Sequence, residues 1–267
     1  MLTQTLFQGK LSKTEDLFIP FIEAGDPSPE VTIELALKLQ EAGADILELG
    51  IPYSDPLADG PTIQRAAKRA LDNGMSLKQA IELIPTMREK GLTIPVVVFT
   101  YYNPVLRIGE ETFFELLEEH GAEGVLIPDL PYEESESVRE LALKHEIEYI
   151  SLVAPNSEAR IQKIASEARG FLYCVSTLGV TGGENQLSSE VTHFIEKVKK
   201  HSPVPVAVGF GISTNDDVRM IREHADGVII GSKIIRLVEA EVENLKDEHK
   251  REAALDRFYN NVRELVE

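Results

Sequence analysis

A chain of 267 residues has room for one large domain or two small ones, and its 43% hydrophobic and 27% charged residues fit an ordinary water-soluble globular fold. The formal net charge of −18 argues against nucleic acid or an anionic membrane as partner, because both require clusters of Lys and Arg. Any anionic ligand must therefore be held by local donors against the overall field.

Cys174 is the one cysteine, so no intrachain disulfide can form; within "FLYCVS" it reads as a small buried hydrophobe. The opening "MLTQTLFQGK" lacks the apolar core of a signal peptide, and no run elsewhere is long enough to span a bilayer. A cytoplasmic protein is expected.

In chain order, the first apolar run is "FIPFIEA" (18–24). Ser28-Pro29 then sets a capping residue before a proline at the first helical position, ahead of "EVTIELALKLQEAG". The second run, "ILELGI" (46–51), leads into the loop "PYSDPLADGP". "SLKQAIELIPTMREKG" is helical up to Gly91, with a kink or break at Pro85. "VVVFTYY" follows as the third run, then the helix "EETFFELLEEHG" ending on Gly121, and "GVLIPDL" as the fourth. "YISLVA", "FLYCVS", "VPVAVGFG" and "GVIIGS" complete the set. None shows the in/out alternation of a one-faced antiparallel sheet; parallel strands covered on both faces have this composition.

Three stretches, "EAGADILELG", "EHGAEGVLIP" and "REHADGVIIG", join a helix end to a strand through a turn residue and an acid. Such a repeated joint is what serial βα units produce. The pattern predicts a (β/α)8 TIM barrel over residues 1–267 as a single domain, with an extended loop and an extra helix after strand 2. A doubly wound open sheet is the alternative. Loops after barrel strands form the active-site face, so lengthening after the second strand points there.

Alternation along that strand puts Ile46, Glu48 and Gly50 on one face and Leu47, Leu49 and Ile51 on the other. The uniformly apolar set belongs against the helices, so Glu48 points into the barrel near the C-terminal end of its strand. Apolar surroundings would raise its pKa, as suits a proton donor near neutral pH. An ion pair within the barrel's side-chain layers fits the strand equally well. For Asp55 and Asp59 the plain reading is turn formation through side-chain to backbone hydrogen bonds. A metal pair lacks a histidine or third carboxylate at ligand spacing, and no metal is expected.

Gly209 and Gly211 end the seventh run, and Gly231-Ser232 end the eighth. Glycines there let backbone N–H groups approach a ligand, and a following helix N-terminus adds its dipole. This loop pair is a frequent phosphate site in barrels, and backbone donors need no basic surface. "GVTGG" (179–183) could form a flap over the same pocket; taken singly, each glycine stretch is also a tight turn. The six histidines are scattered near helix ends, without paired spacing.

"LELGIPYSDPLADGPTIQ" closely resembles the signature of the tryptophan synthase α-subunit family. "PFIEAGDP", "TYYNP", "PDLPYEE", "GVTGG", "VGFGIS" and "GSKII" agree with that family in order, from about residue 18 to 236. Other phosphate-binding barrels, such as isomerases or indole-glycerol-phosphate synthase, share the glycine loops but lack "SDPLADGP". The resemblance implies a lyase that cleaves indole-3-glycerol phosphate to indole and glyceraldehyde 3-phosphate in a retro-aldol-type step. Indole would pass to a β subunit within an α2β2 heterotetramer, in the last steps of tryptophan biosynthesis. It implies no cofactor in this chain and pyridoxal phosphate in the partner. The family's catalytic residues fall on Glu48 and Asp59, and its phosphate ligands on Gly182, Gly211, Gly231 and Ser232. Pocket residues fall on Phe21, Tyr173 and Thr181, and the partner-facing side on Asp55, Asn103 and Pro131. Glu23 stands where a neutral residue is more usual, and "STLGVTGG" lacks the basic residues that often precede the flap glycine. A stand-alone indole lyase and a non-catalytic regulatory subunit are the alternatives; intact Glu48 and Asp59 speak against the latter.

Overall fold

The computed structural model describes Phe7 and residues 14–155, 157–175, 188–209 and 211–267; the expected site residues Thr181 and Gly182 lie outside the described residues. Parallel strands form one sheet: β1 (Leu17–Glu23), β2 (Leu47–Gly50), β3 (Val96–Phe99), β4 (Gly124–Leu126), β5 (Glu148–Tyr149), β6 (Ser151–Val153), β7 (Leu172–Cys174), β8 (Val206–Val208) and β9 (Gly227–Ile230). Their order is β5-β4-β3-β2-β1-β9-β8-β7-β6. The two ends of that order, β5 and β6, flank Ile150 and are successive pieces of the single expected run "YISLVA". β5 pairs with β4 and β6 with β7, so the run changes neighbour at Ile150 and closes the sheet. The fold is the expected TIM barrel, and the open sheet is excluded by this closure.

The interior is apolar at the strand starts. Leu17, Ile19, Ile46, Val97, Leu126, Phe171, Ala207 and Ile229 point inward, and Phe7 plugs that end. Gly170 makes room for the plug, since a Cβ there would lie 2.7 Å from the Phe7 ring. The opposite face of β2 carries Leu47, Leu49 and Ile51 into the larger core beneath the helices. Cys174 is fully buried in that outer core.

The three repeated helix-to-strand joints share one hydrogen-bonding device. Asp45 accepts from the Phe18 N–H at 2.8 Å, Glu123 from Val96 at 2.7 Å and Asp226 from Val206 at 2.9 Å. Each acid's own N–H donates back to the carbonyl of that same residue. The acid of the next unit thus supplies an acceptor for an amide at the start of the neighbouring strand.

Helix ends follow the chain's capping residues. In α1 (Pro29–Glu41), Ser28 Oγ accepts from the Val31 N–H and Pro29 occupies the first turn. The segment around Pro85 is two helices, α3 (Leu77–Ile81) and α4 (Leu83–Glu89), with α2 (Pro61–Asp72) before them. Pro85 has no N–H for the Ile81 carbonyl, so the break falls one turn ahead of it. Gly91 and Gly121 take the positive φ values, 105° and 72°, of left-handed stops. Several strands are shorter than their apolar runs. "VVVFTYY" leaves the sheet after Phe99 and becomes helical at Tyr102, in α5 (Tyr102–Ile108). Later in the chain come α6 (Glu110–Glu119), α7 (Glu136–Lys144), α8 (Glu158–Ser166), α9 (Ser189–His201), α10 (Asn215–Arg222), α11 (Ser232–Lys246) and α12 (Arg251–Val266).

Candidate active site

At the C-terminal ends of the strands the interior opens into a cavity of about 730 Å³ that Glu48, Asp59, Phe21, Tyr173, Gly211, Gly231 and Ser232 all line. The β1–β2 register sets Phe21 beside Glu48. Glu48 is 1% exposed, and its Oε1 has no hydrogen-bond partner among the described residues. Burial alone pushes its pKa up to about 8. The ion-pair reading of Glu48 therefore fails: no cation among the described residues pairs with it, and burial favours the protonated form near neutral pH.

Phe21 and Phe99 meet edge to face, 5.4 Å between centroids and 81° between planes, and both line the cavity. Gly50 permits this, since a Cβ there would lie 2.4 Å from the Phe21 ring. On the far wall, a Cβ on Gly209 would lie 2.4 Å from the Tyr173 hydroxyl, so glycine is what lets that ring stand in the cavity. Burial and the Glu48 and Asp59 carboxyls hold the Tyr173 hydroxyl well above its ordinary range, so it stays neutral.

Asp59 does not use its carboxylate to cap its own turn. Its Oδ2 accepts from the Tyr101 hydroxyl at 2.9 Å, and that hydroxyl in turn accepts from the Ala58 N–H at 3.0 Å. Burial raises the Asp59 pKa and the Tyr101 hydrogen bond opposes that rise. The sequence reading missed Tyr101; its place in "TYYNP", just past a strand end on the site face, was the available signal. Glu23, the unusual acid, is 3% exposed and sits against Gly50, with its Oε2 only 2.9 Å from where a Cβ on that glycine would be. Burial, then the Asp59 and Asp26 carboxylates, push its pKa well up.

The glycine loops differ in what their helices offer. The N-terminus of α10 is already satisfied by a capping box in which Thr214 and Asp217 bond each other's amides, and Ser213 also donates to Asp217. The N-cap of α11 is Gly231, with no side-chain cap and no acid in the first turn. First-turn amides of α11 are thus left for a ligand, and its N-terminal end carries partial positive charge. Gly211, at φ +63°, holds a backbone conformation that favours glycine. Arg236, on α11, also lines the cavity and was not singled out from the sequence, although it follows Ser232 by one helical turn.

Asp55, Asn103 and Pro131 lie outside the cavity lining and are exposed on the segments after β2, β3 and β4, along one side of the rim. Asn103 donates to the Tyr53 hydroxyl at 2.8 Å. Nearby Leu57 is 84% exposed and Leu106 54%, apolar surface that invites cover. Among the described residues no group of three or more His, Cys, Asp or Glu could hold a metal ion. No helix there is long and apolar enough to cross a membrane.

Fold and site together define a (β/α)8-barrel enzyme with a protonated carboxyl and an open helix N-terminus facing one cavity. The chain belongs to the tryptophan synthase alpha chain family, whose model matches residues 7–265. It is 60% identical over 256 residues to the tryptophan synthase alpha chain of Geobacillus kaustophilus, covering 96% of each chain. Against that of Bacillus subtilis it is 55% identical over 253 residues, 95% of each. Among solved structures, a chain of the Pyrococcus furiosus tryptophan synthase α2β2 complex matches with a TM-score of 0.84 at 33% identity, covering 95% of this chain and 99% of that one.

Proposed function

We infer that this chain acts as a tryptophan synthase α subunit: a lyase that cleaves indole-3-glycerol phosphate to indole and glyceraldehyde 3-phosphate and hands indole to a β subunit. The observation that carries this is a buried, protonated Glu48 facing the same cavity as Asp59 and the uncapped first turn of α11. The family membership of the whole length agrees.

In our reading the indole ring lies between Phe21 and Tyr173, and the phosphate takes the amides around Gly211, Gly231 and Ser232. Glu48 gives its proton to indole C3, which moves positive charge onto the ring nitrogen. Asp59 accepts the ring N–H and stabilises that charge. Glu48, now a carboxylate, takes the proton of the adjacent glycerol hydroxyl. The carbon–carbon bond breaks, its electron pair returns to the ring and an aldehyde forms. The net transfer is one proton from hydroxyl to C3, so a single carboxyl serves as acid and then base. Thr181 and Gly182, outside the described residues, would complete the pocket and phosphate ligands.

The chemistry needs no cofactor of this chain's own; pyridoxal phosphate is assigned to the β subunit. Asp55, Asn103 and Pro131 are assigned to the β-facing rim, which their exposure beside Leu57 supports. We take residues 1–267 as one domain, as one sheet joining the strands suggests, and its site of action as the cytoplasm. The test is indole release from indole-3-glycerol phosphate by the purified protein, alone and with a β subunit. Release is expected in both cases, greater with the partner, and Glu48→Gln should abolish it. Turnover by that variant at the wild-type rate would overturn the assignment of Glu48.

A further inference from the structure

A phosphate ester brings close to two negative charges into a chain whose net charge is already −18. Backbone amides and a helix dipole offer only fractional positive charge. Arg236 is the only cationic side chain among the described residues lining the cavity. It follows Ser232 by four residues on α11, so the two side chains share one face of that helix.

Its surroundings leave the guanidinium available. The natural partner on its own helix is Glu239, three residues on. Both Glu239 oxygens are taken from the neighbouring helix: Arg65 binds them at 2.7 and 2.8 Å, and Arg69 adds a bond at 3.0 Å. Those two arginines, Arg65 first, hold the Glu239 carboxyl down to about 2. Arg69 is itself saturated by Asp26, at 2.7 and 2.8 Å. Arg236 is exposed and has no ion pair or hydrogen bond to a side chain among the described residues. The acid that would quench it is occupied, while two nearby arginines of α2 are spent on acids.

We propose that Arg236 is a substrate-binding and specificity-determining residue, whose guanidinium pairs with the phosphate group held at the first turn of α11. A planar fork of donors matches two phosphate oxygens at once and supplies the full charge that the amides lack. The residue selects phosphate esters over uncharged glycerol analogues, and it acts on binding more than on the chemical step. This rests on the phosphate position inferred above for the lyase reaction.

The experiment is steady-state cleavage of indole-3-glycerol phosphate, at several ionic strengths, by the wild type, Arg236→Gln and Arg236→Lys, each with the β subunit present. Inhibition by glycerol 3-phosphate and by indole is measured alongside. Arg236→Gln should raise KM and weaken glycerol 3-phosphate inhibition by about tenfold or more, with kcat little changed. The salt dependence of kcat/KM should flatten, inhibition by uncharged indole should hold, and Arg236→Lys should recover part of the loss. Unchanged KM and glycerol 3-phosphate inhibition in the glutamine variant overturn the proposal. So does an equal loss of indole inhibition, which would mean a collapsed cavity. A wild type that releases no indole from this substrate would instead overturn the lyase reading itself.

Discussion

Glu48 combines two demands that ordinarily conflict. In the proposed role, a proton donor for carbon needs a raised pKa, and burial without an ion-pair partner among the described residues provides it. That arrangement costs stability in a definite pH window. Below the unfolded value, near 4.5, both states hold the proton and the penalty is absent. Between there and about 8 the unfolded chain has released the proton while the folded chain keeps it, so stability falls as pH rises. The loss is on the order of 4 kcal/mol by pH 8. Glu48→Gln should therefore be more stable than the wild type in urea at pH 8, with the gain shrinking toward pH 4.5. A gain independent of pH would contradict burial as the cause. In the proposed mechanism Asp59 faces the opposite requirement, since it must be ionised to accept the ring N–H. The Tyr101 hydroxyl, 2.9 Å away, restrains the rise that burial causes. Tyr101→Phe should move the acidic limb of kcat/KM to higher pH and lower the plateau. A limb that stays in place would mean that Tyr101 only fills space.

Between elements, the acids that start β-units tie neighbouring units together. Glu123 accepts from the Val96 N–H and holds Arg88 through both oxygens at 2.8 Å. Arg88 also donates to the carbonyls of Leu92 and Ile94, so one ion pair ties the end of α4 to the starts of β3 and β4. Glu123→Ala leaves a strand amide without its acceptor and a partly buried guanidinium without its carboxylate. It should cost about 3 kcal/mol in urea unfolding, whereas an exposed pair such as Lys68–Asp72 should cost well under 1 kcal/mol. Equal losses at the two sites would show that the joint is dispensable.

At the scale of the whole molecule, charge and fold divide their tasks. A surface of −18 repels anions at long range, yet the barrel concentrates its donors at one mouth: the open turn of α11 and Arg236. Field focusing in a cleft lets a local cationic end prevail over the average surface. The same mouth carries the exposed Leu57 and Leu106 with Asp55 and Asn103, so under the proposed function substrate entry and partner contact would share one end of the barrel. In that reading substrate and partner would act on the same loops, above all the one that holds Asp59.

Residue order alone determined the strand runs, the capped helices, the break near Pro85 and the inward face of β2, because these depend on local periodicity and backbone chemistry. It also carried the family resemblance through "LELGIPYSDPLADGPTIQ". What it left open for Glu48, a paired charge or a neutral acid, turned on which groups from distant strands surround it. Only the closed barrel shows that none of the described ones pairs with it as a cation. The Tyr101 bond to Asp59 spans 42 residues, and the quenching of Glu239 by Arg65 spans 174. Contacts of that separation exist only once the barrel has closed, which is why the tertiary structure decided the protonation of the site and the availability of Arg236.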